Sequence, residues 1–230
     1  MSAEPARRLG AARCAALTCV ALVTGCFDNT ASVFPAGLEP WEPNAAPPPS
    51  TTAGDVCPET ITFARLPDWG HATSVHARAC IHAPPGAVWR AIQNPQTLRD
   101  PTSSDPPFMV LSPIPDECDG AYETQVHVHD IIDVDFRLCF RHALIDGTDD
   151  APLLTTTRWQ KVWGTTVITS LEGSLVSRPH PDDATITELE LQYHFDALID
   201  DPERMESYLS SVFTRLRDDA HGVPLLPADF

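Results

Sequence analysis

Basic side chains are scarce in this chain: 15 Lys and Arg stand against 32 Asp and Glu, a formal net charge of −17. A surface of that sign repels phosphate backbones and anionic headgroups, which argues against nucleic acid as a partner and against membrane attachment by charge. Long apolar runs are missing as well: no segment reaches the roughly 20 residues that a transmembrane helix needs. The spacings that mark common chemistries are also absent. There is no C-x-x-C or H-E-x-x-H for a metal, no D-x-D-x-D-G loop for calcium, no G-x-S-x-G or S-x-x-K for a nucleophilic serine, and no glycine-rich phosphate loop. The enzymatic signal is weak, and no catalytic residue, metal ligand or cofactor is expected.

What is present begins at the N-terminus. Arg7, Arg8 and Arg13 precede an apolar stretch from Ala15 to Val23, which ends in Thr24-Gly25-Cys26. A basic region, a short apolar core and small residues before a cut describe a secretory signal peptide. A small residue followed at once by Cys resembles the bacterial lipobox, in which that Cys is diacylated and becomes the new N-terminus. Residues 1–25 are thus expected to be a lipoprotein signal peptide and Cys26 the lipidated residue. The expected address is the bacterial cell envelope, on its periplasmic or cell-surface side. Acyl chains contribute roughly 0.8 kcal/mol per buried CH2, so several on one residue anchor the chain without help from charge.

Of seven cysteines, those at 14 and 19 leave with the signal and Cys26 carries lipid; Cys57, Cys80, Cys118 and Cys139 remain. An even number in an oxidising compartment points to two disulfides, and four cysteines allow three connectivities. Cys118 precedes a predicted hairpin whose second strand holds Cys139, so the expected pairs are Cys118–Cys139 and Cys57–Cys80.

Residues 26–56 are rich in Pro and Ala, as in Glu42-Pro43-Asn44-Ala45-Ala46-Pro47-Pro48-Pro49, and lack hydrophobic periodicity. Such a segment reads as a disordered spacer. Residues 57–222 form the expected domain, with 223–230 as a tail. Ser74 to His82 alternates, placing Val75, Ala77, Ala79 and Ile81 on one face. Pro84 to Ile92 turns helical, and Gln96 to Asp100 suggests one further turn. Strand patterns follow at 121–132, 134–145, 154–163, 165–177 and 185–198, with a short apolar run at Phe108 to Leu111. Asp201-Pro202 then opens an amphipathic helix whose stripe is Met205, Tyr208, Leu209, Val212, Phe213 and Leu216. Strands followed by one long helix imply an α+β fold.

The stretch Ile81-His82-Ala83-Pro84-Pro85-Gly86-Ala87-Val88-Trp89 resembles the START-like helix-grip superfamily, the polyketide cyclase and lipid-transport group. There a first strand ends in "I-x-A-P" and runs into a helix carrying "V-W". The resemblance covers roughly Thr73 to His221. It implies a curved seven-stranded antiparallel sheet wrapped around the long C-terminal helix, two short helices after strand 1, and an apolar cavity between sheet and helix. It implies no particular reaction, and no family catalytic motif carries over.

His127 and His129 share one strand face, and His76, His82 and His194 point outward too. Without a third ligand at metal spacing they are expected to form a solvated polar face. Asp130, Asp133, Asp149 and Asp150 lie in predicted turns and are expected to serve turn chemistry. The inward aromatics allow two outcomes. Tyr122, Phe136, Phe140, Trp159, Tyr193 and Phe195, opposite small Ala77 and Ala79, either fill a core or line a ligand cavity. The resemblance favours the cavity, with Tyr122 and Tyr193 as polar contacts. The expected partner is a hydrophobic small molecule or lipid, and the membrane is touched only through the anchor. A cyclase- or dehydratase-like enzyme using the same cavity, and a packed non-catalytic interaction domain, are the alternatives.

Overall fold

A computed structural model describes residues 38–50, 56–69, 72–99, 109–114, 118–129, 133–197 and 201–225. The signal-peptide segment and Cys26 lie outside the described residues, as do Asp130 and the side chains of His129 and Asp133. Eight strands make one antiparallel sheet: β1 (Ile61–Trp69), β2 (Ala72–Ile81), β3 (Met109–Val110), β4 (Tyr122–His129), β5 (Asp133–Gly147), β6 (Pro152–Gly164), β7 (Ile168–His180) and β8 (Asp183–Ala197). Their spatial order is β1-β2-β8-β7-β6-β5-β4-β3. Helix α1 (Pro85–Gln93) follows β2, and helix α2 (Pro202–Ala220) follows β8.

The sheet has one strand more than the seven expected. The extra strand is β1, outside β2 at the edge. Its inward positions, set by pairing with Ala79, Ala77 and Val75, are Ile61, Phe63 and Arg65. The third of these is a cation, which breaks the apolar alternation that marks a strand. Arg65 is accommodated because it reaches Glu206 at 2.6 Å and Glu203 at 3.6 Å on α2.

The second expected short helix is instead a turn. Pro95 has no N–H to continue α1, and the Thr97 hydroxyl lies 2.8 Å from the carbonyls of Ala91 and Asn94, closing the chain back on itself. Helix α1 starts where the sequence places it, with Pro at its first turn. Its Gly86 is packed so closely that a Cβ would sit 2.3 Å from the carbonyl oxygen of Asp150. Asp149 is more than a turn residue, since it accepts a hydrogen bond from Trp89 Nε1 at 3.0 Å and ties α1 to the β5–β6 turn.

Helix α2 is capped by Asp201, whose side chain accepts from the N–H groups of Glu203 and Arg204. It ends in a loop at Gly222, where φ is +73°. The entire predicted stripe of α2 is buried and packs with Val75, Ala77, Ala79 and Ile81 of β2 in one core. Both disulfides form as expected, Cys57–Cys80 and Cys118–Cys139.

The spacer departs from expectation. Its residues 38–50 form a strap across the outer face of the sheet, the face opposite α2. Asn44 Nδ2 donates to the carbonyls of Ala77 and Leu191 at 3.0 Å each, and Ala46 is buried. The strap lacks helix and strand, so its proline-rich composition was compatible with docking in an extended form.

Candidate functional site

The residues expected to line a cavity lie on the inner face of the sheet. The aromatic side chains form a continuous wall along it. Tyr122 stacks on Phe140 at 4.7 Å between ring centroids, Phe140 on Trp159 at 6.2 Å, and Tyr193 lies 6.4 Å from both Trp159 and Phe195. Tyr208 of α2 closes on Tyr193 at 5.0 Å. Trp159 fits because its neighbour on β7 is Gly173.

Lys161 shares the parity of Trp159 and is also buried, its Nζ donating to the carbonyls of Thr165 and Ile168. A register shift then pairs Trp163 with outward Arg137, whose guanidinium lies 4.6 Å from the Trp163 ring.

Between this wall and α2 remains a space of about 10 Å³, lined by Leu98, Val126, Phe136, Leu138, Leu171, Tyr193 and Tyr208. That is room for about one water molecule. Of the six predicted residues, Phe136 and Tyr193 line it. Phe140, Trp159 and Tyr122 are packed into the wall beside it, and Phe195 is half-buried at its edge. Ala77 and Ala79 face the core but not this space.

Of the lining residues not predicted, Val126, Leu138 and Leu171 lie on predicted strands, whereas Leu98 and Tyr208 come from outside the sheet. Leu98 sits in the turn after α1, held by Tyr208 Oη donating to its carbonyl at 2.9 Å. Arg215 of α2 donates to the carbonyl of Thr97 beside it. The stripe on α2 was the one sign that Tyr208 faced inward.

Two polar groups of the wall, Tyr122 Oη and Trp159 Nε1, are buried without a hydrogen-bond partner among the described residues. Burial, and secondarily the nearby Tyr208, pushes the Tyr122 phenol well above its ordinary range, so it stays protonated. His142 lies 5.4 Å from Tyr122, ring to ring, and burial lowers its imidazole to about 4, leaving it neutral at pH 7. Neither borders the space under α2, so they do not supply it with an acid/base pair.

The outer face holds a second cluster. His76 and His194 point outward as expected, but they are covered by the strap and are not solvated: His76 is 0% and His194 8% exposed. Glu42 Oε1 accepts from Nε2 of both rings at 2.6 Å. His194 Nδ1 faces Glu172 Oε1 at 3.4 Å.

The trio resembles a metal site, since one ligand atom from each lies within 4.8 Å of the others. The hydrogen bonding argues otherwise. A ligating histidine donates its second ring N–H to an acceptor. His76 Nδ1 instead accepts from the N–H of Ala45 at 2.9 Å, so its Nε2 carries the proton and has no lone pair for a metal. His127, by contrast, pairs at 2.8 Å with Asp135.

Burial alone would raise the Glu42 carboxyl, but the hydrogen bonds from His194 and His76 and the charge of His194 hold it down at about 2, against an ordinary 4.5. Burial likewise pulls His194 down, and Glu172 and Glu42 outweigh it to reach about 9, against 6.5. Glu42 therefore favours docking of the strap above pH 4.5, a contribution lost as pH falls through 2. His194 favours it below pH 6.5, a contribution lost as pH rises through 9. Trp41 sits against this cluster, 6.2 Å from the His194 ring. Its fluorescence, taken as the difference between the native chain and Trp41→Phe, should hold steady near neutrality and change as pH passes 9.

Without β1, the sheet runs β2-β8-β7-β6-β5-β4-β3, with a helix after its first strand and a long helix from its last strand laid across the inner face. The fold is an α+β helix grip. Solved structures similar to this domain include TTHA0849 from Thermus thermophilus, at 16% identity over 66% of this chain and 99% of that one, TM-score 0.47. The human StarD13 lipid transfer and protein localization domain matches at 13% identity over 69% of this chain and 82% of that one, TM-score 0.47. The Zhui aromatase/cyclase from Streptomyces sp. R1128 matches at 14% identity over 66% and 93%, TM-score 0.42. No family model matches the chain, and no curated protein matches it in sequence. Among the described residues no helix is long and apolar enough to cross a membrane.

Proposed function

We propose that this chain is an envelope lipoprotein, anchored through Cys26, whose helix-grip domain binds a hydrophobic small molecule or lipid between the sheet and α2. The observation that carries the binding is the unfilled space under Tyr208, walled by apolar side chains. Its size at rest means that a ligand enters by moving the wall, and the movable part is the Leu98 turn, which α2 holds through Tyr208 and Arg215. Tyr122 Oη and Trp159 Nε1, buried donors in the wall beside the space, would meet a ligand oxygen only once the wall has moved. The small resting volume also favours a second reading, a packed interaction domain with no ligand.

A solvatochromic apolar probe separates the two. In a ligand binder, the parent protein takes up the probe saturably. Leu171→Ala, which widens the space at a cost of about 2–5 kcal/mol in stability, binds larger probes more tightly. In a packed domain only Leu171→Ala binds. The anchor is tested separately: the parent chain incorporates labelled fatty acid in a bacterial host, and Cys26→Ala does not. A native chain that stays soluble and unlabelled would overturn the lipoprotein half.

A further inference from the structure

The outer sheet face beneath the strap has the chemistry of a binding groove. In a chain of net charge −17 it gathers Arg78 and His76 on β2, His194 on β8 and Arg158 on β6, with Glu190 3.5 Å from Arg78 and Glu172 3.4 Å from His194. Its side chains read the strap as an extended peptide, mainly through main-chain carbonyls. Thr156 Oγ1 donates to the carbonyl of Leu38 at 2.8 Å, Arg158 to that of Glu39, Gln192 to that of Glu42, and Arg78 to that of Asn44 at 3.3 Å. The Trp41 ring covers the Arg158 guanidinium at 3.6 Å, and the Glu42 carboxylate enters the pair of imidazoles.

The strap does not satisfy this groove. Arg158 is 0% exposed, yet its Nε and one terminal nitrogen have no hydrogen-bond partner among the described residues. The carboxylates of Glu172, Glu42 and Glu39 act on it only at longer range. A planar guanidinium is suited to a bidentate carboxylate, and leaving one buried without it is costly. Among the described residues a carbonyl and an indole meet it.

We propose that the outer face of β2, β8, β7 and β6 is a recognition groove for acidic peptides, held in cis by residues 38–50 and opened to a peptide that places a carboxylate on Arg158. The Glu42 carboxylate marks one acid position of the ligand, and the unfilled fork of Arg158 marks another. The strap is a weaker, tethered occupant with the advantage of high effective concentration.

The test uses the full chain carrying Trp41→Ala and Glu42→Gln, which removes the two strap side chains that fill the groove. The probes are fluorescein-labelled peptides: residues 37–49, the same with Glu42→Gln, and the same with Trp41→Glu, which puts a carboxylate where the Trp41 ring covers the Arg158 guanidinium. The double variant should bind the native peptide saturably, and the native chain at least about tenfold more weakly, because its own strap competes. Trp41→Glu should tighten binding and Glu42→Gln should weaken it, each by about tenfold. Failure of the folded double variant to bind, or equal binding of all three peptides, overturns the proposal. Should the double variant not fold, Glu42→Gln alone is followed by hydrogen exchange. Faster exchange confined to residues 41–46 supports a removable strap; unchanged or globally faster exchange overturns it. None of these measurements involves Cys26 or the space beneath α2.

Discussion

Gly173→Ala is expected to destabilise the domain by about 3 kcal/mol, at the upper end of what overpacking costs. A Cβ at this position would lie 2.0 Å from Trp159 Cζ2 and 2.2 Å from Cε2. The obstacle is a rigid ring, only 1% exposed, between Phe140 and Tyr193, so it has nowhere to turn. Urea unfolding measures the loss. Combining Gly173→Ala with Trp159→Leu separates this clash from other causes. The double variant should be less destabilised than the sum of the two single changes, because removing the indole removes what the new methyl strikes. Strict additivity would show that the glycine is required for a different reason.

The disulfides should show effects of similar size. Each closes a loop of modest length, with sequence separations of 23 and 21, and each is expected to contribute about 3 kcal/mol by restricting the unfolded chain. Cys57→Ala/Cys80→Ala should also loosen the start of β1, since Cys57 packs with Cys80 and Ile186 in a cluster separate from the main core. Cys118→Ala/Cys139→Ala should act at the other side of the sheet, where Cys118 and Cys139 pack with Val162. Thermal unfolding of the two double variants gives their separate costs. A fully reduced protein that melts with the oxidised one would show that neither loop restrains the unfolded state.

Most of the sheet was legible because each strand reports its own burial. Val134, Phe136, Leu138 and Phe140 alternate with Asp135, Arg137, Cys139 and Arg141, and the first set is buried facing the core. The same periodicity argument found α2 from its stripe and its Asp201-Pro202 start. It failed at β1, where an inward arginine is neutralised by glutamates on α2, distant in the chain. It could not decide between cavity and core either. Six aromatic residues on one face are compatible with both, and the packing of Trp159 over Gly173 depends on a register between two strands that neither one encodes alone.

The outer face marks the limit of local reasoning. His76 and His194 were correctly placed on the polar side of their strands, and a polar side ordinarily meets water. Burial there depends on Glu42, 34 residues from His76 and 152 from His194 in the chain. Residues 38–50 have no periodicity to betray a buried face because they form neither helix nor strand. What holds them is a set of side-chain hydrogen bonds to main-chain carbonyls, which any sequence supplies, together with the Glu42 carboxylate and the Trp41 ring, whose partners lie far off in the chain. The chain's own pattern of apolar spacing, caps and cysteines thus determined the α+β class, the hairpins and the closing helix, each of which follows from local periodicity, while the choice among three disulfide pairings was settled by the structure. Only the tertiary structure decided that the inner space is nearly filled and that the proline-rich segment is docked. Both depend on side chains brought together across several strands, where the fit of one surface against another, rather than the preference of any segment, sets the outcome.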